Sequence, residues 1–347
     1  MSEPLKLVVA GAGLIGQKHI RIVQQLCKKF TLEAIVDPVA EGKQLADSLG
    51  VGYYPSLQDM FASIKPDGVI LATPNQVHVE NGLTCIAQKC PILIEKPIAD
   101  SSLEAKKLID AASAVRVPLL VGHHRRHNPI ICKAKELIND GALGTIKSVH
   151  GACWLKKPDD YFSMEWRSQK GAGPIMVNAI HDMDLLRFLC GDVVTVQAMV
   201  SNSVRGFENE DTAVVLLKFD SGALGTMNIS DTITSPTSWE LSSGENSDFA
   251  VTQESCYWIG GTEGSLSLPD IRLWKHENQG HWKQPMNSVC FQLPNMEPLL
   301  AQLNNFAAVI RGEEKAVVNG KDALKALEIV EAAKESATTN GLPIHLT

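Results

Sequence analysis

Through its first 120 residues the chain alternates two textures. Residues 5–10, 32–37, 68–72, 91–95 and 118–122 are short runs of Val, Ile and Leu with few polar interruptions. Between them, residues 15–28, 38–49, 76–88 and 103–115 place apolar side chains every three to four positions, the period of a helix with one buried face. Strands that are apolar on both faces and separated by helices predict a parallel sheet covered on both sides, a doubly wound α/β fold.

Beyond residue 122 the texture changes. Residues 146–154, 193–200, 212–219 and 223–229 read as longer strands, and the later ones follow one another without helices between them. Phe219-Asp220-Ser221-Gly222 suits a tight turn, with glycine available for the left-handed position. The second region, 123–347, therefore reads as an α+β domain with a large open, mainly antiparallel sheet, after a first domain at 1–122. Two helices close the chain at 297–311 and 321–338, the second bracketed by Asn319-Gly320 and Asn340-Gly341, and they are candidates to pack back on the first domain. Residues 242–248 are polar and read as a loop.

Composition narrows the function classes. The 347 residues are 44% hydrophobic and 20% charged, as in an ordinary globular protein, and a net charge of −7 disfavours nucleic acid as a partner. The basic run His123-His124-Arg125-Arg126-His127 is too short to change that. No apolar run approaches a membrane span and no secretory leader precedes the first strand, so a cytoplasmic location is expected. Eight cysteines, Cys27, Cys85, Cys90, Cys132, Cys153, Cys190, Cys256 and Cys290, show no Cys-x-x-Cys spacing. They are expected to be reduced, buried hydrophobes, with no metal site.

Three segments carry chemistry. The first is Gly11-Ala12-Gly13-Leu14-Ile15-Gly16, a G-x-G-x-x-G that leaves a strand and opens a helix. Gly11 permits the tight turn, Gly13 lets a pyrophosphate approach the backbone, and Gly16 lets helix and strand pack closely. The N–H groups of the helix start, at Leu14 and Ile15, then face the phosphates. Asp37 ends the next strand, 21 residues beyond Gly16, where a carboxylate accepts hydrogen bonds from ribose hydroxyls and repels a 2′-phosphate. This is the Rossmann arrangement, and NAD is the expected cofactor in preference to NADP.

The second segment, Glu95-Lys96-Pro97, puts a charged pair at the carboxyl end of a buried strand, the edge that faces the ligand crevice in open α/β sheets. A lysine there can hydrogen-bond a substrate hydroxyl and favour its ionised form. Thr73, Pro74 and Asn75 end the preceding strand on the same edge and are candidates to line the nicotinamide side. His78 follows and reads as a helix-packing residue. The third segment is a helix predicted to start at Pro174, after Gly171-Ala172-Gly173, with Asn178, His181 and Asp184 on one face. His181 is the candidate general base and Asn178 a candidate substrate contact.

Taken in order, Gly11–Gly16, Asp37, 72–75, Glu95-Lys96-Pro97, 123–129, Trp166-Arg167 and the segment through Asp184 resemble the Gfo/Idh/MocA family of oxidoreductases along nearly the whole chain. The resemblance implies a catalytic pair at Lys96 and His181 acting on sugars, inositols or related polyols. It also implies substrate contacts at Arg125, Arg167 and Asn178, cofactor contacts that include Glu95, and a homodimer or homotetramer formed through the C-terminal sheet. One position departs from the family pattern: Val177 stands where many members carry an acid, four residues before the histidine. The same family resemblance leaves open NAD-assisted glycoside cleavage and non-catalytic dinucleotide sensing. Retention of both Lys96 and His181 counts against the sensor.

Overall fold

The computed structural model describes residues 3–277, 282–294 and 296–346. The chain forms two compact units: residues up to His127 with Pro298–Leu327, and Asn128–Glu297 with the chain from Glu328 on.

The first unit opens with six strands alternating with five helices. β1 (Leu5–Ala10), α1 (Leu14–Gln25), β2 (Phe30–Val36), α2 (Ala40–Leu49), β3 (Gly52–Tyr54), α3 (Leu57–Ser63), β4 (Gly68–Leu71), α4 (His78–Ala87), β5 (Ile92–Ile94), α5 (Ser102–Val115) and β6 (Leu119–Val121) follow in order. All five strand pairs are parallel, in the order β3-β2-β1-β4-β5-β6. The order reverses between β1 and β4. The crevice at such a reversal is where doubly wound sheets hold ligands, because the loops leaving the two strands run to opposite faces. The loops after β1, β4 and β5 thus become neighbours on one edge.

The second unit begins with α6 (Pro129–Asn139) and β7 (Ile146–Trp154), continues through α7 (Pro174–Val177) and α8 (Ala179–Cys190), and then enters a run of strands: β8 (Val193–Ser201), β9 (Thr212–Phe219), β10 (Leu224–Ser230), a short α9 (Trp239–Ser242), β11 (Tyr257–Gly261), β12 (Ser265–Leu268), β13 (Arg272–His276) and β14 (Met286–Cys290). After α10 (Pro298–Ile310) and α11 (Gly320–Thr338), β15 (Ile344–His345) completes a nine-stranded sheet of order β14-β13-β12-β11-β7-β10-β9-β8-β15. Alternation drives it: in β9 every second residue is buried, ending at Phe219, while Val214, Leu216 and Lys218 face solvent. Helix α8 is buried along most of its length. Tyr257 of β11, itself fully buried, anchors it by donating its hydroxyl to Asp182.

Helix α10 returns to the first unit. Its Leu299, Leu303, Phe306 and Ala307 join a core with Leu7, Val9, Ile35, Ile70, Leu93 and Leu120 from four neighbouring strands and the strand beyond them. Each large side chain buried this way contributes roughly 1.5–3 kcal/mol.

Several expectations need correction. The sequence reading omitted β3 with α3, all of β11 to β14, and β15. The second sheet holds one parallel pair, β7 with β10, among antiparallel neighbours. The helix predicted to run on from Pro174 is two helices, broken at Asn178, whose backbone (φ −103°, ψ −58°) departs from helical values. Ser242 belongs to α9 rather than to the polar loop. All eight cysteines are free thiols, but Cys27, Cys132 and Cys290 are exposed, not buried. Among the described residues no helix is long and apolar enough to cross a membrane.

Candidate functional site

The glycine turn is built by close backbone approach. Gly11 has φ +91°, a left-handed value, and a Cβ there would lie 2.4 Å from the Ala72 carbonyl oxygen. A Cβ on Gly16 would lie 1.9 Å from the Gly11 carbonyl oxygen, so the start of α1 folds directly onto the turn. At Gly13, by contrast, a Cβ would meet nothing within 4 Å. The backbone is open there, as a cradle for phosphates must be. Gly13 caps α1 without a side-chain hydrogen bond, the first turn carries no acid, and Leu14 stands 84% exposed. Free N–H groups, the positive end of a helix and an uncovered apolar side chain together fit a dinucleotide lying across the turn.

Asp37 is buried beside that turn. Its Oδ2 accepts the Ala12 N–H at 2.7 Å and its Oδ1 accepts the Val39 N–H at 2.9 Å. The Tyr53 hydroxyl donates to the Asp37 carbonyl at 2.9 Å. Each carboxylate oxygen keeps a further lone pair, so Asp37 can still accept ribose hydroxyls.

On the same edge, the turns after β4 and β5 are tied together. His78, fully buried in α4, reaches the Thr73 carbonyl with Nε2 and the Pro97 carbonyl with Nδ1, each at 2.8 Å. Burial pulls its pKa below the usual histidine value, and the two carbonyls oppose that. The Asn75 side-chain amide donates to Asp100, and Asn81 donates to the Thr73 hydroxyl at 3.3 Å. Lys96 precedes a cis peptide bond to Pro97 and is half-buried at the end of β5. Thr73, Pro74, Asn75 and Lys96 thus share one tied edge next to Gly11. Glu95 is different. It is buried, with its carboxylate directed to His19 of α1 at 2.8 Å and to the Lys96 N–H at 3.2 Å. Arg125 is also buried, in the short helical turn His124–His127. Its neighbour Arg126 lies 3.6 Å from Asp322.

In the second unit, Asn178 occupies the break between α7 and α8. Its carbonyl oxygen accepts the His181 N–H at 3.2 Å, and its Oδ1 is buried without a hydrogen-bond partner. A buried acceptor left unpaired costs about 1–3 kcal/mol, and a ligand hydroxyl would satisfy it. His181 is buried in the first turn of α8. Glu210, absent from the sequence reading, sets the entry to α7: its Oε1 accepts the Ile175 N–H at 3.0 Å, and a Cβ on Gly173 would lie 2.2 Å from its carboxyl. Burial pushes the Glu210 carboxyl above the usual range. Arg167 spends one donor on the Tyr161 carbonyl at 2.7 Å and stacks on the Tyr161 ring at 4.1 Å, with its Nε buried and unbonded. Its neighbours form a cationic cluster in which Asp231 pairs with both Arg205 and Lys157.

The sequence reading singled out neither His19 nor Glu210 and gave His78 only a packing role. His19 carries a usable signal, a polar ring on the buried face of α1, because a buried polar group requires a partner. Glu210 lies in a loop with no motif around it.

The chain matches a family model described as an oxidoreductase family with an NAD-binding Rossmann fold over residues 5–123, and the Gfo/Idh/MocA C-terminal domain model over residues 131–267. It is 27% identical over 336 residues to the rhizopine catabolism protein MocA of Rhizobium meliloti, a match covering 95% of this chain and 94% of that one. It is 25% identical to the scyllo-inositol 2-dehydrogenase (NAD(+)) of Bacillus subtilis, covering 100% of this chain and 97% of the relative. Among solved structures, the WlbA dehydrogenase of Bordetella pertussis in complex with NADH and UDP-GlcNAcA is similar at a TM-score of 0.80 and 25% identity, with 99% of each chain covered.

Proposed function

The chain belongs to the Gfo/Idh/MocA family of oxidoreductases, and on that premise we propose that it is an NAD-dependent dehydrogenase acting on a hydroxyl or ketone carbon of a sugar, inositol or related polyol. Its NAD-binding Rossmann domain is the framework. The observation that carries the reading is Lys96: a lysine on the carboxyl edge of β5, in a turn tied through His78 to the loop after β4, beside the glycine turn.

Lys96 donates a hydrogen bond to the reacting oxygen and stabilises its negative charge, and His181 takes up or returns the hydroxyl proton. Asn178 and Arg167 bind neighbouring hydroxyls, with the unpaired Asn178 Oδ1 as the acceptor. NAD, when bound, accepts or supplies the hydride. A carboxylate at Asp37, at the end of β2 beside the glycine turn, supports NAD over NADP because it would accept ribose hydroxyls and repel an added phosphate. The similarity to an inositol dehydrogenase supports a polyol as substrate. Val177 in place of the usual acid leaves His181 without a carboxylate at that position, and the substrate choice of acid-bearing members does not transfer.

The test is a panel of sugars, inositols and dihydrodiols offered with NAD or NADP and read by absorbance of the reduced cofactor. At least one polyol should give NADH, with NADP much poorer. Consumption of a glycoside without accumulating NADH would replace this reading with redox-neutral cleavage.

A further inference from the structure

His19 has a bonding pattern that packing alone does not require. It lies on α1, three residues beyond Gly16, with 0% of its surface exposed. Its Nε2 is 2.8 Å from Glu95 Oε1, and because a carboxylate only accepts, Nε2 carries the proton. Its Nδ1 is buried with no hydrogen-bond partner, so the polarity of this ring serves Glu95. Glu95 Oε2 in turn accepts the main-chain N–H of Lys96 at 3.2 Å. The carboxylate is also enclosed from β6, since a Cβ on Gly122 would lie 2.9 Å from it.

An apolar side chain at position 19 and another at 95 would fill this space without the desolvation that a buried charge incurs. Burial does push the Glu95 carboxyl up. The hydrogen bond and charge of His19, with the charges of His124 and Lys96, outweigh it and hold the group below its ordinary range. Titratable groups around Glu95 include His19 on α1, Lys96 beside it in the chain, His124 after β6 and His78 on α4.

We propose that His19 and Glu95 are a positioning pair for Lys96: the helix that opens at the dinucleotide turn holds, through His19, the carboxylate that fixes the Lys96 main chain and places an anion beside its ammonium. The inference rests on the assignment of Lys96 to proton handling. It gives α1 a second task, joining the cofactor turn to the lysine by two consecutive hydrogen bonds.

The test reads Lys96 itself and needs no substrate. Full-length wild type, H19L, H19Q and E95Q are acetylated with trace acetic anhydride against a free-amine standard over an alkaline pH series. Labelling of the Lys96 peptide is followed by mass spectrometry, and NADH binding is followed by fluorescence. In E95Q the ammonium loses its neighbouring anion, and the labelling midpoint moves to lower pH. In H19L the carboxylate loses the donor that holds its Oε1, is no longer fixed beside Lys96, and the midpoint moves the same way by a smaller amount. H19Q keeps a donor near the Nε2 position and stays with wild type. Identical midpoints in all four proteins would make His19 a packing residue and end the proposal. Should H19L not fold, E95Q, which preserves shape, decides alone. A K96M enzyme that turns over normally would sink the catalytic role of Lys96 while leaving the labelling result, and so the pair, intact.

Discussion

His127 shows how a single residue stores pH dependence. Burial, then the charges of His124 and Arg126, pull its pKa from 6.5 to about 4. In the unfolded chain it binds a proton near its ordinary pKa, while the folded chain resists. Stability from this residue is therefore fully present above pH 6.5 and lost as pH falls towards 4. The loss amounts to about 3 kcal/mol at the low end. His127→Gln should flatten that limb, and urea denaturation at both ends of the window would show it. An equal acid loss in the variant contradicts the assignment. Residue-scale legibility was uneven. The spacing of Gly11, Gly13, Gly16 and Asp37 was readable because one ligand demands all four together. His19 and Glu95 lie 76 residues apart and become partners only once β1 and β4 place α1 beside the end of β5.

At the scale of elements, the sequence was clearest where a strand is long and least clear where it is short. β1, β7 and β9 begin and end as the hydrophobic pattern predicts, because each carries at least six residues of unbroken pattern. β3 is three residues, Gly52-Tyr53-Tyr54, held by pairing with β2, and nothing local specifies it. β12 alternates Ser and Leu over four residues and β14 is exposed throughout, so their existence depends on the strands beside them. The break at Asn178 was hidden because Pro174 to Cys190 carries helical periodicity on both sides of it. Helix α10 was visible as a helix, and its burial gives it a measurable weight. Leu303→Ala, at a fully buried position, should cost about 2–5 kcal/mol in equilibrium unfolding. A loss below about 0.5 kcal/mol, the range of surface substitutions, would mean that α10 does not cover the sheet as described.

For the whole molecule, the open face of the nine-stranded sheet is the most informative surface. Met199, Val214, Leu216, Leu224, Trp258 and Trp274 are exposed on it, in register across seven strands with Ser148, Thr226 and Ser267 between them. Around the His150–Trp258 stack lies a cavity of about 310 Å³ lined also by Ser265 and Trp274. Soluble monomers rarely leave so continuous an apolar face uncovered. We propose a second copy of this chain as the cover. Leu216→Glu should then shift the mass measured by light scattering from dimer or tetramer towards monomer, and a wild type already monomeric at high concentration would refute it.

The central claim concerns the proton at Lys96 and His181. With the best polyol from the substrate panel, NADH formation by wild type, K96M and H181N is measured alongside NADH binding by fluorescence. Turnover should fall on the order of 10²–10⁴-fold in each variant, with NADH binding retained. Unchanged turnover in both variants would contradict the account.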